Sequence, residues 1–238
     1  MSGTAPLSLS VVLPAFNEEV LLAGTVRSLA GTLAALGVSH EIILVDDGSR
    51  DRTGAIADEL ARTLPALSVC HQENQGLGGA LRTGIARARG QYVLTWPADV
   101  PVERDDLAPF VDRLGAADVL VGVRSRRAGY NPLMQLNSWI YPRLVALLFG
   151  LRLRDVNWIH LYRTDYIRRV TLTQRGIPML VEALVRLRDL GATFLEVPSE
   201  MKARTAGVAS ASRLRIMGRT LRGLIQFWWQ WRRDRPAR

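Results

Sequence analysis

The 238 residues suffice for one large α/β domain, and with 48% of them hydrophobic they can bury a core, which excludes a disordered chain. Thirty-one basic residues against twenty-two acidic ones leave a formal charge of +9, favouring anionic partners such as phosphates, acidic lipid heads or nucleic acid. The only cysteine, Cys70, excludes an internal disulfide and fits a reducing compartment, where it reads as a small buried hydrophobe.

In chain order, the opening MSGTAPLSLS lacks the positive cluster and apolar run of a signal peptide, and no window approaches the ~18 uncharged apolar residues of a spanning helix. A cytoplasmic location without a membrane span is the expectation. Short β-rich runs then alternate with longer stretches of helical period, the pattern of a parallel sheet with crossover helices. Strands are predicted at Leu9–Leu13, Glu41–Val45, Leu67–Cys70, Tyr92–Trp96 and Val119–Val123, and helices over Glu18–Leu36, Arg52–Thr63, Gly78–Ala88 and Glu103–Leu114. Each strand runs into a polar or glycine-bearing loop: PAFNEE, DDGSRD, ENQGLGG, PADVP and RSRRAG. Ligands of open α/β sheets bind along that carboxyl edge, so these loops are expected to line one site.

From Ala128 to Leu151 the only charged residue is Arg143, within a helical pattern broken by Pro142, and such a segment requires an apolar neighbour. A helix at about Met179–Leu190 and a strand near Thr193–Val197 follow. From Ser212 the tail reads as one amphipathic helix with a basic side. Residues 1–211 are therefore read as the main domain and 212–238 as a helical elaboration of the same unit.

The strongest local signal is DDGSRDRT, directly after the strand EIILV. Carboxylates at a strand end, Asp46 and Asp47, can hydrogen-bond a nucleobase edge and a ribose hydroxyl. Gly48 permits the tight turn, and Ser49 or Asp51 can cap the next helix. The plainer reading is a capped turn with solvent-facing acids. LPAFNEE can bring Pro14, Ala15, Phe16 and Glu18 to the same pocket, with backbone contacts from Pro14 and Ala15 and the Phe16 ring covering the base. Alternatively, Asn17 caps a helix whose first turn carries Glu18 and Glu19. Gly76, Gly78 and Gly79 precede a helix and suggest a phosphate-cradling loop, or else a helix entry packed close to the sheet. The segment has neither the GKS/T ending of a P-loop nor the spacing GxGxxG.

In order along the chain, PAFNEE, VDDGSRDRT, NQGLGGALRTGI, the acidic loop at Asp99, DVLVGVRSRRAG, LRLRDVNW, LYRTDYI and EVPSEMKARTAG resemble the family 2 glycosyltransferases of the GT-A fold, in particular the branch containing dolichol-phosphate mannose synthase and polyprenyl-phosphate glycosyltransferases. The resemblance covers nearly the whole chain. It implies a Rossmann-like α/β fold with a mixed, mainly parallel sheet flanked by helices. It also implies an inverting, single-displacement transfer from a nucleotide-diphosphate sugar, a GDP- or UDP-sugar, with Mg²⁺ or Mn²⁺ neutralising the pyrophosphate. By the same resemblance Asp99 is the metal ligand and a donor and catalytic residue. Arg124, Arg126 and Arg127 fall where the family places basic residues near the donor sugar and phosphates, and arginine's planar fork suits phosphate. Arg124 is thus a donor-binding and catalytic candidate, and Arg127, Lys202 and Arg204 are acceptor-binding candidates. Asp155 matches an aspartate near acceptor and sugar. With a phosphate acceptor it need only position groups, whereas a hydroxyl acceptor needs it as base.

The chain also departs from the family. The usual Asp-x-Asp is Pro97-Ala98-Asp99, so one aspartate of the two remains, and Pro101 stands where many relatives place a glutamine. Weaker metal dependence, or substitution by Arg124 or Lys202, follows from that change. Ala209 and Ser210 replace the family's serine and lysine. NWIHLYR is shorter than the corresponding family stretch, and His160 is read as structural.

In the tail, Leu214, Met217, Leu221, Leu224, Ile225 and Trp228 share helical spacing, with Arg215, Arg219 and Arg222 on another face and FWWQWRR beyond. Aromatics and arginines together suit the headgroup boundary of a membrane. The alternative is a helix packed on the domain or on a second subunit, as in a homo-oligomer. The leading expectation is an enzyme at the cytoplasmic membrane face that glycosylates a polyprenyl phosphate. Transfer to a soluble hydroxyl and an inactive nucleotide-sugar-binding scaffold are the alternatives. A nucleic-acid partner has no motif to support it.

Overall fold

The computed structural model describes residues 7–127, 132–201 and 213–234. In chain order these form β1 (Leu9–Ala15), α1 (Leu22–Ala35), β2 (His40–Asp46), α2 (Thr53–Thr63), β3 (Leu67–His71), α3 (Leu77–Arg87), β4 (Tyr92–Thr95), α4 (Arg104–Val111), β5 (Val119–Arg127), α5 (Pro132–Phe149), β6 (His160–Arg163), α6 (Thr164–Ile167), α7 (Pro178–Asp189), β7 (Phe194–Met201) and α8 (Arg213–Asp234). The strands make one sheet in the order β3-β2-β1-β4-β6-β5-β7. Strands β1 to β4 run parallel, as do β5 and β7, while β6 lies antiparallel between β4 and β5.

Alternation along the inner strands sends side chains to two separate cores. Leu9, Val11, Leu13, Ile42 and Leu44 face α1, α2 and α4, while Val12, Ile43 and Val45 face α3, α5, α7 and α8. Both faces are covered, so these strands read as continuous apolar runs in the sequence. The expected mixed, mainly parallel sheet is therefore present.

Some element boundaries differ from the sequence expectation. α1 begins at Leu22 because the chain before it is tied to the loop after β2: the Glu18 N–H donates to Thr53 Oγ1 (2.8 Å) and the Glu19 N–H to Asp51 Oδ2 (3.2 Å). Asn17, at φ 55°, caps nothing of its own helix, and instead its Oδ1 accepts the Arg50 N–H at 2.8 Å. α5 continues through Pro142 to Phe149. β6 was not foreseen. α8 docks through Leu224, Phe227 and Trp231, with Phe227 stacked on Phe149 at 5.1 Å and the Trp228 indole N–H donating to the Leu148 carbonyl at 3.0 Å. Leu221 and Ile225, grouped with Leu224 by spacing, stay exposed. Among the described residues no helix is long and apolar enough to cross a membrane.

Candidate active site

The ends of β1, β2 and β4, the loop after β3, and the segment entering β6 meet at the carboxyl edge. Asp46 ends β2 in register with His71, which ends β3. Asp46 Oδ1 accepts the Ser49 N–H (3.1 Å), its Oδ2 meets His71 Nδ1 (3.0 Å), and His71 Nε2 meets Asp58 Oδ1 (3.1 Å). Burial pushes the Asp46 carboxyl up, but the hydrogen bonds of Ser49 and His71 outweigh it and hold it below the usual carboxylate range. The bonds to Asp46 and Asp58 raise His71 above an ordinary histidine.

Asp47 is employed differently. Its Oδ1 accepts from Gln72 Nε2 (2.6 Å) and the Gln75 N–H (2.9 Å), and its Oδ2 from the Gly76 N–H (2.7 Å). It thus anchors the 72–76 loop, and its own N–H donates to the Ala15 carbonyl at 2.9 Å. At Gly48, with φ 72°, a Cβ would come within 2.8 Å of the Asn74 nitrogen, so the crossing of these two loops needs glycine. Pro14 and Ala15 close β1 beside this turn, and Phe16 lies exposed just after them.

The glycine-rich segment serves close packing. The Gly78 N–H donates to the Arg175 carbonyl at 2.6 Å, and a Cβ there would lie 2.3 Å from the Gln174 oxygen. A Cβ on Gly79 would meet the Gln75 side chain at 2.3 Å. Buried Glu182 holds the covering loop in place by accepting the N–H groups of Thr173 and Gln174. One first-turn donor that a phosphate cradle would use is therefore bonded to protein.

After β4, the Trp96 indole N–H donates to the Val100 carbonyl (2.9 Å) and closes a turn around buried Asp99. Asp99 is the one carboxylate of the 96–102 loop, and no group of three His, Cys, Asp or Glu side chains converges as a metal cage among the described residues. That donor set suits an ion such as Mg²⁺, which keeps several waters and needs only one or two protein carboxylates.

Arg124, in β5, and Asp155, before β6, form a buried bidentate pair. Nε donates to Oδ2 at 2.7 Å and Nη2 to Oδ1 at 2.8 Å, and Nη2 also donates to Asn157 Oδ1 at 2.6 Å. The Val156 N–H adds a bond to Asp155 Oδ1 at 2.9 Å. Arg124 lies 5.3 Å from the Trp158 ring centre, and the Trp158 N–H donates to Ser199 Oγ at 3.1 Å. His160 sits below, fully buried: its Nδ1 meets the Tyr162 hydroxyl at 2.8 Å, and its Nε2 has no hydrogen-bond partner among the described residues. Burial lowers its pKa to about 4, with the Asp155 charge opposing and the Arg124 charge adding to the shift.

Of the acceptor candidates, Lys202 and Arg204 lie outside the described residues, and Arg127 is placed by its backbone alone, opposite Met201. Three features escaped the sequence reading: the Arg124–Asp155 pairing, Asn157, and His71 beside Asp46. Only the last had a signal, since the predicted second and third strands end one residue before Asp46 and His71.

The family description "Glycosyl transferase family 2" matches residues 10–185. A dodecaprenyl-phosphate galacturonate synthase of Rhizobium johnstonii is 33% identical over 193 residues, covering 78% of this chain and 57% of that protein, so the chain spans little more than half of that relative. An undecaprenyl-phosphate mannosyltransferase of Micrococcus luteus is 29% identical over 219 residues, 84% of this chain and 86% of that one. Glucosyl-3-phosphoglycerate synthase of Mycobacterium tuberculosis, solved with Mn²⁺, uridine-diphosphate-glucose and phosphoglyceric acid, superposes with a TM-score of 0.70 at 20% identity, over 93% of this chain and 79% of that one, and shares the GT-A fold. With motifs, sheet order and this match in agreement, the chain belongs to the family 2 glycosyltransferases.

Proposed function

We infer that the chain transfers a sugar from a nucleotide-diphosphate sugar to a polyprenyl phosphate, with inversion at the anomeric carbon. In this single displacement an acceptor phosphate oxygen forms the new bond to that carbon. The bond to the donor pyrophosphate breaks, and the nucleoside diphosphate leaves with the electron pair. One observation carries the choice of acceptor: both oxygens of buried Asp155 are already bonded, to Arg124 and to the Val156 N–H. Such a carboxylate is suited to positioning rather than to proton abstraction. A phosphate acceptor is already an anion at neutral pH and needs no base, whereas a hydroxyl does. The polyprenyl-phosphate acceptors in the names of the two relatives support the same choice.

In this reading Asp46 binds the nucleobase or ribose, Pro14 and Ala15 line the base pocket with Glu18 nearby, and Phe16 covers the base. Asp47 and Gly79 shape the supporting loop. A divalent ion, held by Asp99 together with the donor phosphates, would neutralise the pyrophosphate charge. Arg124 sets Asp155 and Asn157 at the transfer centre, and Arg127, Lys202 and Arg204 meet the acceptor phosphate. The test is a panel of labelled nucleotide sugars offered with a short-chain polyprenyl phosphate or with soluble hydroxyl acceptors. Label extracted into organic solvent only with the lipid phosphate, and lost in Asp99→Ala, is expected. Transfer to hydroxyl acceptors alone, or donor binding without any transfer, would support the alternatives instead.

A further inference from the structure

α5 buries one side and leaves the other without a partner among the described residues. Tyr141, Val145 and Phe149 face the core, while Leu136, Trp139, Ile140, Arg143 and Leu147 recur at helical spacing on the opposite side and are exposed, Leu147 by 81%. Beside this stripe, between α5 and the loop that follows it, opens a pocket of about 480 Å³. Its lining includes Trp139, Pro142, Arg143, Arg152, Leu153 and Arg154. The volume falls in the range of small-ligand sites, ~300–1,000 Å³.

The charges of this pocket are of one sign. Arg143 is stacked over the Trp139 ring at 3.6 Å and donates to the Trp139 carbonyl, which spends no negative side chain on it. Arg154 pairs with Glu196 (2.7 Å), while exposed Arg152 has no hydrogen-bond or ion-pair partner among the described residues. Among the described residues, two guanidinium charges thus stand uncompensated next to an apolar helix face. We propose that this pocket binds the headgroup of an anionic phospholipid while the Leu136–Leu147 stripe enters the adjoining acyl boundary.

The juxtaposition favours this occupant over a second copy of the chain, because a two-fold contact would set the same arginines against one another. Arginine matches a phosphodiester through its planar fork, and Trp beside Arg is the composition of an interfacial helix. The inference concerns where the protein meets a bilayer and does not depend on what it glycosylates.

The test is flotation of the full chain with phosphatidylcholine vesicles, with and without phosphatidylglycerol. Wild type should bind the anionic vesicles and scarcely the neutral ones. Arg152→Ala should weaken binding about fivefold, and Arg143→Glu with Arg152→Glu at least tenfold, given the free energy of roughly one basic residue at an anionic surface. The melting temperature should stay unchanged, since both side chains are exposed. Arg219→Glu with Arg222→Glu, on α8, should matter less. Equal binding to both vesicle types, unchanged binding of the double variant, or loss only with the α8 changes would overturn the proposal. Release by free inorganic phosphate at constant ionic strength would also overturn it, since that would mark a soluble-phosphate site. Turnover with detergent-solubilised polyprenyl phosphate separates this from the acceptor reading. The double variant should keep it and lose only vesicle-embedded turnover. No turnover by wild type in detergent, with vesicle binding intact, would count against the acceptor reading alone.

Discussion

The two ends of the carboxyl edge each set a carboxylate near a histidine, and they do so in opposite ways. At the β2–β3 end, half-exposed His71 lies between Asp46 and Asp58 and its pKa is raised. At the β5–β6 end, His160 lies wholly inside beneath the Arg124–Asp155 pair, and burial lowers its pKa to about 4. In the first arrangement His71 and Asp58 are about half exposed, so water can replace their mutual contact at little cost, while Asp46 itself is buried. The second is fixed, since any group removed leaves another buried without its partner. The same residue types thus make an open contact at one end and a fixed one at the other, according to how deeply each histidine is buried.

The largest effect is expected at the buried end. Asp155→Ala strands Arg124 inside the protein and should cost about 3–5 kcal/mol in urea unfolding, together with loss of transfer. A loss below about 1 kcal/mol would mean that the pair is not structural and that the contrast drawn above fails.

Acid should come next. The native protein keeps His160 neutral down to about pH 4, whereas the unfolded chain takes up its proton near pH 6.5. Stability from this residue therefore falls as the pH drops from about 6.5 to about 4, by up to about 3 kcal/mol. His160→Gln should remove that slope in pH-dependent denaturation, and an unchanged slope would assign the acid sensitivity elsewhere. His71 runs the other way: its contribution is complete below pH 6.5 and is lost as the pH rises through its raised native value. The lowered carboxylates Asp46 and Asp118 contribute above the usual carboxylate range and lose that contribution at lower pH still.

At the β2–β3 end the two neighbouring aspartates should separate. Asp47→Ala leaves the N–H groups of Gln75 and Gly76 without their carboxylate and should cost about 1–3 kcal/mol, read by thermal unfolding. Asp46→Ala should cost about 1 kcal/mol or less, while weakening nucleotide binding about tenfold in calorimetry. Equal stabilities for the two variants would erase the distinction between a carboxylate that anchors a loop and one proposed to meet the donor.

Most of the fold was legible because its signals are local. The apolar runs of β1, β2 and β4, the helical period of α2 and α7, and the polar loops after each strand depend on neighbours a few residues away, and the carboxyl-edge site follows from their alternation. β6 was not legible: four residues, HLYR, place His160 and Tyr162 on one face and Leu161 on the other, and a run buried on both sides shows no polar alternation. Nor could spacing reveal that α5 would pass through Pro142, because packing of Tyr141, Val145 and Phe149 against the sheet outweighs the lost backbone bond. Asp46 and Asp47 are equivalent in sequence. Their division of labour comes from the loop at 72–76, which the third strand brings over one carboxylate and not the other. Likewise Arg124 and Asp155 were each marked as candidates, but their union in a buried pair required β6 to turn back beside β5, a contact between segments 31 residues apart. Local propensity and periodicity determined the elements and the edge at which the candidate site lies. Which charges are paired, and which remain available, was decided by long-range packing, because burial sets the free energy of a charge and only the assembled sheet sets burial.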